Sequence, residues 1–204
     1  MFSHMCAAGG TAPVGVHHGN VNFDFNQAVH PAFVLLGAGG GGGAPPGCCL
    51  AMTMEWMHNW RANRARAFST WVNPVGAGGH VSVLANTVAI FAPQAPWSAT
   101  AATLMTAYGF TPVGGLSAGP VWNLRGPMIR LVVTSATYTI LIYVVAGASH
   151  AVGIKRVGDA IFFFDCNHGE VFFPTADDFA NWFAGGYSLG AMAGPATFFS
   201  LRFN

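Results

Sequence analysis

The sequence predicts an α+β fold in which one long helix packs against an antiparallel β-sheet, and three observations carry that expectation. Between Cys49 and about Phe68, the residues Cys49, Met52, Trp56, Trp60 and Asn63 recur at three- and four-residue steps, so they share one face of a helix. The last third of the chain is a series of short β-branched and aromatic runs separated by tight turns, the pattern of a meander. Composition excludes charge-driven disorder for most of the chain. Of 204 residues, 8 are Lys or Arg and 7 are Asp or Glu, and 52% are hydrophobic, with 17 Phe. A chain of this length buries roughly 70% of its unfolded surface and needs no disulfide or metal staple.

The elements follow in order. Residues 1–36 form an irregular arm, rich in Gly, His and Asn at first, and residues 37–204 form the folded domain. The tract from Gly37 to Gly47, GAGGGGGAPPG, cannot hold a regular element and is a flexible approach to the long helix. Arg61, Arg64 and Arg66 crowd the last turns of that helix, where cations complement the macrodipole. Residues from about 70 to 127 are rich in Ala, Pro and Gly. A helix is expected there from Ser98 to a C-cap at Gly109, while 81–92 fits helix or strand equally.

The apolar stretch from Leu131 to Ser149 is long enough to span a membrane but is crowded with Thr134, Ser135, Thr137, Tyr138 and Thr139, so it is expected as paired buried strands. Strands are expected at 139–145, 150–157, 160–165 and 169–173, with a two-residue hairpin loop at Gly158-Asp159. Thr175 caps a helix carrying Asp177 and Asp178 in its first turn, and 197–203 is a final strand.

Charge excludes whole classes of partner. A net charge of +1 leaves no electrostatic footprint for nucleic acid and no polybasic patch for anionic lipid. No integral membrane span is expected, and no Lys or Arg precedes an apolar N-terminal core, so no signal peptide is expected. The four cysteines, Cys6, Cys48, Cys49 and Cys166, show no CxxC spacing. Together with His58 and His168 they match no familiar zinc pattern, so no metal and no cofactor is expected.

Three residues carry chemistry. Cys49 stands at a helix N-terminus, where unpaired N–H groups and the positive dipole end favour thiolate, and its own N–H offers an oxyanion donor. The same position suits a buried structural cysteine. His150 opens one strand and Asp165 ends the next. Pairing about Gly158-Asp159 sets Gly153 near Phe164 and brings His150 and Asp165 to one end of a ladder, where a base and its orienter belong. Asp165 follows Ile161-Phe-Phe-Phe164, a poor place for an unpaired carboxylate, although Asp-Cys-Asn-His-Gly is also good turn chemistry.

The segment Gly47-Cys-Cys-Leu-Ala-Met52-Thr-Met-Glu-Trp56 resembles the nucleophile motif of the YopT/AvrPphB-type cysteine proteases, papain-like enzymes that bacteria deliver into host cells. The motif has Gly, one residue, Cys, two residues, an apolar residue, Ser or Thr, two residues and Trp, and only Cys49 is in register with it. Ser149-His150-Ala151-Val152 resembles the family's His motif, and Phe163 to Glu170 its Asp-Pro-Asn-x-Gly motif, with Cys166 in place of the proline. The resemblance implies a papain-like fold and a Cys49-His150-Asp165 triad hydrolysing peptide bonds without a cofactor. It also implies translocation into a host cytosol and a host signalling protein as substrate. The family completes its oxyanion hole with a side-chain amide shortly before the nucleophile. Residues 41–46 contain none, and Asn26 and Gln27 are the nearest candidates. The same triad serves acyl transfer or glutamine deamidation, and the same scaffold serves a non-catalytic binding protein.

Overall fold

A computed structural model describes residues 20–23, 48–62, 79–90, 96–120, 127–145, 148–187 and 196–204. In chain order the elements are β1 (Asn20–Phe23), α1 (Cys48–Arg61), α2 (Gly79–Ile90), α3 (Trp97–Ala107), β2 (Ser117–Pro120), α4 (Pro127–Thr134), β3 (Tyr138–Val145), β4 (Ala148–Val157), β5 (Ala160–Asp165), β6 (Gly169–Phe173), α5 (Ala176–Trp182), a π-helical turn (Phe183–Tyr187) and β7 (Ala196–Phe203). Seven strands make one sheet in the order β1-β6-β5-β4-β3-β7-β2, every neighbouring pair antiparallel.

The centre of the sheet is the expected meander. β4 and β5 turn back at Gly158-Asp159, where Gly158 takes a left-handed φ of 62°, and Gly153 pairs with Phe164 as the loop dictates. Alternate residues leave on opposite faces, and both faces are covered. Ile140, Ile142, Ala151 and Phe164 meet α1, α2 and α3 on one side. Leu141, Val152, Ile154, Phe163 and Phe173 meet α4, α5 and the π-helical turn on the other. This three-layer burial is where a chain with so few charges puts its apolar residues.

Several elements differ from the sequence-based expectation. Leu131 to Thr134 belong to a helix, not a strand. Ile129, Val132 and Val133 are buried at three- and four-residue steps behind Pro127 at the first helical position, so packing overrides their β-branched preference. α1 begins at Cys48 and is buried almost all round from Cys48 to Met57, because α2 and α3 cover the side away from the sheet. The helix ends at Arg61, with Ala62 in a turn, short of the expected Phe68; residues 63–68, with Arg64 and Arg66, lie outside the described residues. The ambiguous 81–92 segment lies within helix α2, apart from residues 91 and 92, which are outside the described residues. α3 starts after Pro96, not at Ser98. It ends at Ala107 with Tyr108 as its C-cap, one residue before the expected cap; Gly109 follows at φ 86°, and the Gly109 and Phe110 N–H groups bond to Thr106 O and Met105 O. β1 lies within the stretch expected to be irregular, and β2 lies in the Ala-, Pro- and Gly-rich middle region at 117–120, where no strand is expected. Thr175 caps α5, its hydroxyl accepting from the Asp178 N–H at 3.1 Å. Among the described residues no helix is long and apolar enough to cross a membrane.

Candidate active site

The site forms where the start of α1 meets β4 and the end of β5. Cys49 is the second residue of α1, so its N–H is among the four that lack an intrahelical acceptor. Its side chain is buried and hydrogen-bonded to the His150 ring. His150 is the third residue of β4, directly opposite Tyr143 on β3, whose ring meets the imidazole edge-on at 5.4 Å. The β4–β5 ladder ends at Val152 and Asp165, and from there the Asp165 carboxylate reaches back to His150, with Nε2 and Oδ1 2.8 Å apart. The same Oδ1 accepts the Asn167 N–H at 2.8 Å, and the His168 N–H bonds to Asp165 O at 2.9 Å. The turn therefore holds the carboxylate in place.

Burial acts on the His150 ring first, pulling its pKa down. The Asp165 charge, the adjacent Tyr143 and hydrogen bonds to Asp165 and Cys49 outweigh it and hold the imidazole pKa well above its usual value. With Nε2 turned to Asp165, Nδ1 is the ring nitrogen left to serve Cys49. Cys48, one residue away, points elsewhere: its Sγ accepts from the Thr87 hydroxyl of α2 at 3.9 Å. His58 lies beside Glu55 at 3.7 Å and stacks on Tyr108 at 4.1 Å. Among the described residues considered for zinc, Cys166 joins Cys49 at this centre. The Cys166 Sγ, an Asp165 oxygen and a His150 nitrogen lie within 4.8 Å of one another. Asn26 and Gln27 lie outside the described residues.

Thr53 and Trp56, two further residues of α1, tie the helix to the sheet. The Thr53 hydroxyl donates to Ala151 O at 3.4 Å, beside His150. Trp56 is fully buried, stacks on Phe164 at 5.3 Å and lies over Gly153. Its indole N–H donates to Glu170 Oε2 at 2.6 Å, and the Trp60 N–H donates to the same oxygen at 2.9 Å. Lys155 Nζ sits 3.9 Å from the Trp60 ring centre; burial lowers its pKa, and the nearby Glu170 charge opposes that. Glu170 thus pins α1 to β6, a role that sequence reasoning missed. The available signal was the pair of indoles four residues apart on one helix face, which need an acceptor once buried.

No family model and no curated protein matches the sequence of this chain. Solved structures do match. AvrPphB, an avirulence protein of Pseudomonas, aligns with a TM-score of 0.58 at 17% identity, over 76% of this chain and 91% of that one. PatoxP, a cysteine protease-like domain of the Photorhabdus asymbiotica toxin PaTox, aligns with a TM-score of 0.50 at 14% identity. That alignment covers 89% of this chain and 54% of the other, so this chain spans about half its length. The fold of this chain is therefore the YopT/AvrPphB-type, papain-like fold.

Proposed function

We propose that this chain is a cysteine endopeptidase in which Cys49, His150 and Asp165 carry the chemistry. The observation that carries this reading is His150, hydrogen-bonded to Cys49 on one side and to Asp165 on the other. Cys49 Sγ attacks the peptide carbonyl after giving its proton to His150, whose raised basicity suits it to that task. The oxyanion takes the Cys49 N–H at the start of α1. His150 then protonates the leaving amine, and water hydrolyses the acyl-enzyme. Asp165 fixes the tautomer and stabilises the imidazolium. His150 keeps 11% side-chain exposure and marks the side from which substrate arrives.

The substrate is a protein. Likeness to an avirulence protein and to a toxin domain supports delivery from a bacterium into a host cytosol, while a host signalling protein as target rests on the motif resemblance alone. The test is mass-spectrometric profiling of a host-cell proteome treated with the wild-type protein or with Cys49→Ala. New peptide termini that depend on Cys49 are expected. Cys49-dependent deamidated or cross-linked glutamines without new termini would mean acyl transfer to another acceptor. No Cys49-dependent product at all would leave a binding protein on this scaffold.

A further inference from the structure

Donor atoms of three chemical types converge at His150: an imidazole nitrogen, an Asp165 carboxylate oxygen and the Cys166 sulfur, all within 4.8 Å of one another. All three residues are buried. Cys166 has no part in the hydrolytic steps above. Tetrahedral zinc, with bonds of about 2.0–2.3 Å, sets its ligand atoms about 3.3–3.7 Å apart. The three donors need move by no more than about 1 Å to reach that spacing, and the 2.8 Å contact of Nε2 with Oδ1 needs to open by about half an ångström.

Charge and softness agree with that size. A thiolate and a carboxylate together neutralise a divalent cation, so the buried site carries no net charge when filled. One sulfur, one nitrogen and one oxygen around a small centre suit Zn²⁺, whereas Mg²⁺ and Ca²⁺ require six or more ligands, nearly all oxygen.

We propose that His150, Asp165 and Cys166 bind Zn²⁺, and that the bound cation switches the enzyme off. The inhibitory half rests on the triad proposed above: a cation held by His150 and Asp165 removes both the base that activates Cys49 and the carboxylate that orients it. Removing the cation restores the His150–Asp165 hydrogen bond.

The test starts from protein freed of metal by a chelator and titrated with Co²⁺, whose spectrum reports its ligands. One equivalent is expected to give a thiolate-to-cobalt charge-transfer band in the near ultraviolet and visible bands of tetrahedral intensity. Cys166→Ser and Cys166→Ala should both lose the charge-transfer band, while Cys49→Ala should keep it. Absence of the band in the wild type, or its persistence in both Cys166 variants, would overturn the site. Zn²⁺ should then suppress proteolysis reversibly, and Cys166→Ser, measured against its own metal-free activity, should need at least about tenfold more. Proteolysis that continues at saturating Zn²⁺ would overturn the switch. A Co²⁺ spectrum from a protein with no proteolytic activity in any condition would leave the site standing and overturn the hydrolase reading.

Discussion

Gly153 is the point at which α1 comes closest to the sheet, and Gly153→Ala tests how far the site depends on that approach. An added Cβ would lie 2.7 Å from Trp56 Cε3 and Cζ3 and 3.0 Å from Thr53 Cγ2, against ordinary contacts of 3.4 Å or more. About 0.7 Å must be found. The indole cannot swing away, because it is fully buried, stacked on Phe164 and bonded to Glu170 at 2.6 Å. The helix shifts instead and carries Cys49 with it. Overpacking of this kind costs about 1–3 kcal/mol, which in a chain of this size lowers Tm by roughly 2–12 °C. A displacement approaching 1 Å at the nucleophile costs up to about 100-fold in rate. The assay is a thermal melt together with the second-order rate of iodoacetamide alkylation, located on Cys49 by mass. Gly153→Ala should lower both, and Gly153→Ala combined with Trp56→Leu should recover part of each loss. A variant that melts within a degree of wild type and alkylates at the wild-type rate would refute the argument.

Three further outcomes are expected. Cys49→Ala should abolish proteolysis, whereas Cys48→Ala, whose sulfur faces Thr87, should retain a measurable fraction; equal loss in two folded variants would overturn the assignment. Asp165→Ala should lower kcat by orders of magnitude with KM little changed. Asn167→Ala keeps the backbone N–H that binds Asp165 and should cost only about 1 kcal/mol in melts; greater kinetic damage from Asn167→Ala would reverse their roles. His150 has a folded-state pKa above its unfolded value near 6.5. Its contribution to stability is therefore full below about pH 6.5 and is lost as pH rises through the raised folded-state pKa. The gap in Tm between wild type and His150→Gln should shrink on that rise, and a gap that widens would contradict the ion pair.

Much of this was legible in the sequence because the informative features are local. The β4–β5 register follows from a two-residue loop, so the meeting of His150 with Asp165 could be worked out by counting from Gly158-Asp159. Thr175 and Gly109 announce helix ends by cap chemistry that involves only neighbouring residues. The failures share the opposite cause. Leu131 to Thr134 are helical because Ile129, Val132 and Val133 find a common surface against α5 and the sheet, which no local preference encodes. Glu55 looks like a solvated helix residue but is buried, accepting from the Tyr108 hydroxyl and from Asn86 at 3.4 Å. Glu170 and Trp56 are 114 positions apart, and their bond depends on the finished packing of α1 across β4 and β5.

The order of elements along the chain has a consequence for when the protein can become reactive. His150 and Asp165 are 15 residues apart on one hairpin and can meet in microseconds, long before the remainder of the sheet is complete. Cys49 belongs to a helix roughly a hundred residues earlier, so its meeting with His150 is a late, long-range closure. A nascent or partly unfolded chain therefore carries a formed base and an ordinary thiol that have not yet been joined. On the proposed hydrolase reading, such a chain can be made or held unfolded without cutting its surroundings. The appearance of enhanced thiol reactivity during refolding would time the docking of α1 onto the sheet, separately from the earlier formation of the hairpin.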